Sequence, residues 1–495
     1  LIKSKLSKVK EFHREERHMG TNTGFKTYDR QNFKLRPKSQ RVKDDNEVYK
    51  PLSEEEMIDQ AKRCMGCGTT FCSWGCPLGN LISYWNDFSQ QGMWEEAYEV
   101  LSRTSNFPEF TSRVCPALCE ASCVLGVNRE PVSIREIEYT IIEHAFKEGW
   151  VKPRRPKTRT GKRVAVVGSG PSGLATADEL NAVGHEVVVY ERNLEPGGLL
   201  RYGIPNFKLE KSVIDRRIDL MKAAGITFVT NTAVGKDVEA TGLMEEFDAL
   251  VLTGGSTLPR DLKTIGRDLE GIYFAVDYLE NHTKRIHELP TEAMIDANGK
   301  NVLVIGGGDT GSDCIGTANR QGANKVYQVE ILPKAPDVRD DSQPWPIYPR
   351  LNKVTSSHKE GCEQFWEVNT KELIGENGAV KKAILEKIEW VEENGRMIPK
   401  PVEGGQFEVE VDLVLLAMGF LSPEHDGVVK DLGLALDIRG NVMSNERHET
   451  NVKGVFTAGD MTRGQSLVVR AIKEGRTAAK FVDEYLMAES YIRTL

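Results

Sequence analysis

Residues 163–173 read RVAVVGSGPSG, and residues 301–311 read NVLVIGGGDTG. Each stretch is a short apolar run ending in a Gly-x-Gly-x-x-Gly loop. Each is followed by a helical pattern and a second apolar run, Glu186 to Tyr190 in the first copy and near Val326 to Ile331 in the second. A strand, loop and helix in this order make a dinucleotide-binding βαβ unit. The first glycine permits the tight turn, the second lets the backbone approach a pyrophosphate, and the third lets helix and strand pack closely. The helix N-terminus then stabilises the diphosphate. A carboxylate ends each second strand, Glu191 at 23 residues beyond Gly168 and Glu330 at 24 beyond Gly306, where it can accept hydrogen bonds from ribose hydroxyls. The expected nucleotide-binding positions are Gly168, Gly170, Gly173 and Glu191 in one loop, and Gly306, Gly308, Asp309, Thr310, Gly311 and Glu330 in the other. The loops lie 138 residues apart, so two Rossmann-like domains are expected in an α/β chain.

The C-terminal end assigns the nucleotides. Thr450 to Asp460 (TNVKGVFTAGD) ends in Gly459-Asp460 after an apolar strand and resembles the second FAD motif of two-dinucleotide flavoproteins, in which the Asp binds the ribityl chain. FAD is therefore expected at the first loop, and NADH or NADPH at the second. Gln465 to Gly475 is expected to start a helix whose N-terminus points at the flavin. Val411 to Gly419 also reads as a strand, and the first domain is expected to resume there, with the second inserted into it. The carboxylate of Glu330 suits a free 2′-hydroxyl, which favours NADH, whereas Lys334 and Arg339 lie near enough in sequence to reverse the preference.

Upstream, seven of the nine cysteines fall between Cys64 and Cys123. They read Cys64-x2-Cys67-x4-Cys72-x3-Cys76-Pro77 and Cys115-Pro116-x2-Cys119-x3-Cys123. Zinc sites favour paired Cys-x2-Cys knuckles, whereas mixed short spacings with a Pro after the last Cys are those of 4Fe-4S ligands. In such runs the fourth Cys can cross to a second cluster, here Cys76. Two clusters need eight ligands and seven clustered cysteines exist, so either one ligand is of another kind or one cluster is incomplete. Glu138, on an amphipathic helical stretch after the last Cys, is the best local candidate, ahead of Glu136 and Glu143. Cys314 and Cys362 are expected to be packing or incidental thiols.

The expected organisation is a polar N-terminal arm (1–50), an all-helical iron-sulfur domain (51–155) with Ser53 capping its first helix ahead of Glu56, an FAD domain (156–288 and 410–495), and a nicotinamide domain (289–409). Val151 to Lys162 (VKPRRPKTRTGK) reads as a linker. With a net charge of −8, nucleic acid is not an expected partner. No run of 18 apolar residues occurs, and the charged Leu1 to Gly20 segment has no apolar h-region, so neither a membrane span nor a secretory signal is expected. Clustered thiols suit a reducing, cytoplasmic setting. The first residue, Leu1, fits a processed chain or part of a longer one.

On these residues the chain resembles the small (β) subunit family of glutamate synthase along nearly its whole length. The specific stretches are Cys64 to Pro77, Asn106 to Cys123 (NFPEFTSRVCPALCEASC), Gly161 to Gly173, Gly197 to Lys208 (GGLLRYGIPNFK, containing Gly198) and Gly454 to Gly475. The resemblance implies an adrenodoxin-reductase-like pair of nucleotide domains behind the iron-sulfur domain, with Gly198 at the cofactor. It implies a nearer cluster on Cys64, Cys67, Cys72 and Cys123, and another on Cys76, Cys115, Cys119 and Glu138. In the related region of dihydropyrimidine dehydrogenase a Gln fills the place matching Glu138. NADPH-using relatives carry arginines where this chain has Ile331 and Leu332. The implied activity is electron input from NAD(P)H through FAD and two 4Fe-4S clusters. Its implied partner, in a hetero-oligomer, is a large (α) subunit that makes glutamate from glutamine and 2-oxoglutarate. No catalytic side-chain nucleophile is required. Rival readings are the input subunit of another complex, such as a ferredoxin:NADP oxidoreductase; a disulfide reductase, which would need a Cys-x-x-Cys beside the nicotinamide domain; and a zinc-bearing interaction protein, which would be colourless.

Overall fold

The computed structural model describes residues 23–291 and 293–494; the first 22 residues of the expected arm lie outside these. The cysteine-bearing part is helical, with Glu54–Ala61, Ile82–Ser89, Trp94–Leu101, Pro108–Val114 and Ile134–Lys147 as its main helices. Ser53 begins the first through a reciprocal capping box: its Oγ accepts from Glu56 N (3.2 Å) and its own N–H donates to the Glu56 carboxylate (2.7 Å). The spacing of Ile134, Ile137 and Ile141 makes the last helix amphipathic, and all three are buried with Trp85, Phe107 and Phe110. This core continues without a break into Leu174, Leu180 and Ile214 of the first nucleotide unit. Burial of shared apolar surface, not a flexible joint, therefore sets the cysteines against that unit.

The first nucleotide unit is a parallel sheet in the order Val455–Thr457, Ala249–Leu252, Arg163–Val167, Glu186–Tyr190, Thr227–Val229. Its strands are almost wholly apolar because helices cover both faces. The second sheet is also parallel, in the order Glu363–Trp366, Lys325–Glu330, Asn301–Ile305, Leu413–Leu416, Ile272–Phe274. An antiparallel sheet of Val368–Glu376, Ala379–Glu393 and Arg396–Glu410 packs beside it. The two chain crossings between the units pair with each other, Leu258–Pro259 against Phe420–Ser422.

The strand read at Val411 to Gly419 therefore exists, but it does not return to the first sheet. Leu413–Leu416 bonds to Asn301–Ile305 and Ile272–Phe274, so the inserted unit begins before residue 289 and ends after 409. An apolar run buried on both faces carries no mark of which sheet it joins.

The Val151 to Lys162 segment is fastened rather than free: Arg154 pairs with Asp178 and Glu179, and Arg159 donates to Asn181 Oδ1 (2.9 Å). The described part of the arm spans all three units. Phe33 N–H donates to Glu136 (3.0 Å), Val48 N–H to the Phe207 carbonyl (3.0 Å), and Arg41 joins Glu360, which also holds Arg320 (2.7 Å). Removing one member of such a buried ionic group costs about 3–5 kcal/mol.

Candidate functional site

The two glycine loops have the same internal geometry. Gly168 has φ +99° and Gly306 has φ +124°, conformations that favour glycine. A Cβ on Gly173 would lie 1.9 Å from the Gly168 carbonyl oxygen, and one on Gly311 would lie 2.4 Å from that of Gly306. At Gly170 and Gly308 a Cβ would meet nothing within 4 Å, so these loop positions are open to a ligand. Each loop caps a helix of 13 residues, Pro171–Val183 or Asp309–Gln321. Each acidic residue is pinned in the same way. Glu191 accepts from Ser169 N (3.1 Å) and Asn193 N (2.9 Å), and Glu330 from Gly307 N (2.7 Å) and Leu332 N (3.0 Å). Both carboxylates are held at a strand end with lone pairs to spare.

A cavity of about 870 Å³ joins the units. Its walls include Gly168 to Ser172, Glu191, Gly198 and Asp460 on one side and Asp309, Thr310 and Asp313 on the other. Gly459, Gly306, Gly308, Gly311 and Glu330 are not in its lining. Gly459 instead lets the C-terminal motif approach the first loop, since a Cβ there would lie 2.8 Å from that of Ser172. Asp460 accepts from Ser466 Oγ, and burial raises its carboxyl above the usual value. The helix expected after Gln465 runs over Val468–Met487, and Leu467 and Val468 put its N-terminus at the cavity. Lys208 and Asp313, which the sequence did not single out, form an ion pair across the two units in the same wall. The only hint was the place of Lys208 at the end of GGLLRYGIPNFK.

Of the two cations considered for a 2′-phosphate, Arg339 is engaged elsewhere. It donates to the carbonyls of Gln343 (2.9 Å), Ile347 (2.7 Å) and Ala121 (3.1 Å). Lys334 stands 5.4 Å from the centre of the Trp366 ring. Ile331 is exposed beyond Glu330.

The seven clustered cysteines divide into two groups. Cys64, Cys67, Cys72 and Cys123 line one small pocket. Cys76, Cys115 and Cys119 share a second neighbourhood with Glu138, which raises all three thiols, while Cys76 raises the other two. Burial is the larger cause: it pushes Cys64 and Cys76 up to about 11 and Cys72 and Cys115 up to about 12. Thiolates crowded here require a cationic centre among them, which fits a bound iron-sulfur core. Among the described residues no three His, Cys, Asp or Glu side chains converge on a single-ion position.

Glu138 is not a solvated helix carboxylate. It is buried, its pKa is pushed up to about 8 mainly by desolvation, and Thr111 Oγ1 donates to it (2.8 Å). Glu136 is turned to the arm and Glu143 to Arg113 and Arg216. Cys314 is buried in the nicotinamide-side core, and His358, four residues before Cys362, bonds to Thr355 and Gln328. Cys115 and Pro116 also line the large cavity, and none of Cys64, Cys67, Cys72 and Cys123 does. The large cavity's wall thus carries a member of the second group and none of the group expected to be nearer.

Both the cysteine-bearing part and the nucleotide units have counterparts among known proteins. A family described as pyridine nucleotide-disulphide oxidoreductase matches residues 162–475, and one described as dihydropyrimidine dehydrogenase domain II, 4Fe-4S cluster, matches residues 41–150. The glutamate synthase [NADPH] small chain of Mycobacterium tuberculosis is 50% identical over 462 residues, 92% of this chain and 94% of that protein. The glutamate synthase [NADH] of Schizosaccharomyces pombe is 45% identical over 484 residues, 95% of this chain but 23% of that protein. Among solved structures, Mycobacterium tuberculosis FprA in complex with NADPH is 20% identical, with a TM-score of 0.52 over 67% of this chain and 85% of that one; it shares the fold of the nucleotide units. No helix among the described residues is long and apolar enough to cross a membrane.

Proposed function

The chain belongs to the family of glutamate synthase small chains, and from that membership we propose that it is the electron-input subunit of a glutamate synthase. On this reading it oxidises NADH or NADPH and delivers electrons, through FAD and two 4Fe-4S clusters, to a large subunit that makes glutamate from glutamine and 2-oxoglutarate. The observation that carries the reading is the single cavity with walls from the first glycine loop, the start of the second loop's helix, and Cys115.

The chain's own residues bind and orient. Gly168, Gly170 and Gly173 cradle the FAD diphosphate at the Pro171–Val183 helix, Glu191 accepts from its ribose, and Gly198 and Asp460 bind it from the same wall, with Gly459 seating Asp460 against the loop. Gly306, Gly308, Asp309, Thr310 and Gly311 hold the nicotinamide coenzyme, with Glu330 at its ribose. The Lys208–Asp313 pair ties the flavin-side loop to the nicotinamide-side helix. When bound, FAD accepts a hydride as an electron pair and the clusters carry electrons singly. Cys76, Cys115, Cys119 and Glu138 hold the flavin-side cluster, and Cys64, Cys67, Cys72 and Cys123 the outer one. The enzyme acts in the cytoplasm as a hetero-oligomer, with the arm and the cysteine domain as its docking region.

Anaerobic purification followed by iron, sulfide and flavin assay tests this directly. About eight iron and one FAD per chain are expected, with loss of flavin absorbance on adding NADH or NADPH. Zinc in place of iron, or a flavin that stays oxidised with both coenzymes, would sink it.

A further inference from the structure

The helix that carries Glu138 also carries a cation on its cavity side. Arg135 is half-buried, lines the cavity next to Cys115 and Pro116, and donates from Nη1 to the Cys115 carbonyl (3.2 Å). The other arginine of this wall is neutralised: Arg113 pairs with Glu47 (2.5 Å) and Glu143 (2.9 Å). Arg135 has no such partner among the described residues; its side chain is held only by that carbonyl. Glu120, which accepts from the Arg135 backbone N–H (3.0 Å), is already paired with Arg30 (2.6 Å). A guanidinium keeps its charge at any working pH, so an uncompensated positive charge stands between the cavity and the second cysteine group. It sits on that group's side, bonded to the Cys115 carbonyl and one turn before Glu138 on the same helix, and it does not line the pocket of Cys64, Cys67, Cys72 and Cys123.

We propose that Arg135 sets the reduction potential of the flavin-side cluster, its charge stabilising the electron-bearing form of the centre held by Cys76, Cys115, Cys119 and Glu138. The inference rests on the function proposed above. An electron placed on a cluster held there would add one negative charge beside the guanidinium. The attraction falls with distance, so a cluster held by Cys64, Cys67, Cys72 and Cys123 would gain less from Arg135.

The test uses the full chain, purified anaerobically as wild type, Arg135→Gln and Arg135→Lys. Each cluster's midpoint is followed by electron paramagnetic resonance through a redox titration, with iron and FAD content measured alongside. In Arg135→Gln one cluster moves to lower potential by about 59 mV or more, tenfold in a one-electron equilibrium. The other cluster stays in place, and Arg135→Lys, which keeps the charge and serves if the Gln protein does not accumulate, stays within half that shift of wild type. Unchanged midpoints in Arg135→Gln, equal shifts of both clusters, or a Lys variant displaced by the full amount would overturn the proposal. So would loss of FAD with unchanged midpoints, which would make Arg135 a flavin-phosphate ligand. A wild-type protein without iron would instead overturn the cluster reading, and that is seen before any variant is compared.

Discussion

Replacing Gly170 and Gly173 separately by alanine divides ligand space from packing space within one loop. Gly170 has φ −67° and ψ 178°, a backbone open to any residue, and its Cβ would meet no protein atom within 4 Å. The fold should register Gly170→Ala only as a weakened N-cap, a few tenths of a kcal/mol to about 1 kcal/mol. Its methyl group, however, points where the diphosphate must approach, and a loss of about 1.4–2.8 kcal/mol would weaken FAD binding roughly ten- to a hundredfold. Gly173→Ala puts a carbon 1.9 Å from the Gly168 carbonyl oxygen and 2.6 Å from Thr253 Oγ1. The backbone atom cannot swing aside, so strain of about 1–3 kcal/mol or more falls on the protein itself. Thermal unfolding of the flavin-free variants, paired with FAD titration followed by flavin fluorescence, separates the two effects. Gly170→Ala should melt near wild type and bind FAD poorly, while Gly173→Ala should melt lower without any ligand. Native FAD affinity in Gly170→Ala, or an unshifted melt in Gly173→Ala, would refute the assignment of the loop.

Glu138→Ala should reduce the iron content from about eight to about four per chain, whereas Glu138→Gln, which keeps an oxygen donor, should retain more; equal and full iron in both would remove Glu138 as a ligand. Glu330→Ala should raise kcat/KM for NADPH relative to NADH by roughly tenfold, the effect of about 1.4 kcal/mol of repulsion removed; an unchanged ratio in steady-state assays would place the ribose elsewhere. Burial, followed by the charge of Lys208, holds His358 below its usual pKa, with Asp309 opposing. Its Nδ1 accepts from Thr355 N–H (3.1 Å) and its Nε2 meets Gln328 Oε1 (3.0 Å), and Gln328 in turn donates to the Gly306 carbonyl (2.9 Å). The folded chain favours the neutral ring, so the stability this gives is present above the unfolded pKa of 6.5 and is lost as pH falls through the lowered folded value. Protonation breaks a capping bond worth about 1 kcal/mol, and KM for the coenzyme should rise roughly fivefold in acid. A pH profile of KM identical in wild type and His358→Gln would exclude this link.

What could be read from the chain alone was whatever local sterics and short spacing impose. The glycines at 168, 173, 306 and 311 are required where a Cβ would strike a backbone oxygen or φ is positive, and that need is visible in eleven consecutive letters. The cysteine spacings likewise disclosed a cluster domain, and the Ser53 and Glu56 pair a helix start. Tertiary structure alone decided the long-range matters. It put Leu413–Leu416 in the second sheet, because strands buried on both faces look alike wherever they pair. It spent Arg339 on three backbone carbonyls and Glu143 on two arginines, leaving Glu138 buried among thiols. It also set Cys115 and Arg135, rather than Cys64, at the cavity wall. A charged side chain's partner and a thiol's distance from a cofactor depend on which distant surfaces meet, and no short stretch of sequence contains both surfaces.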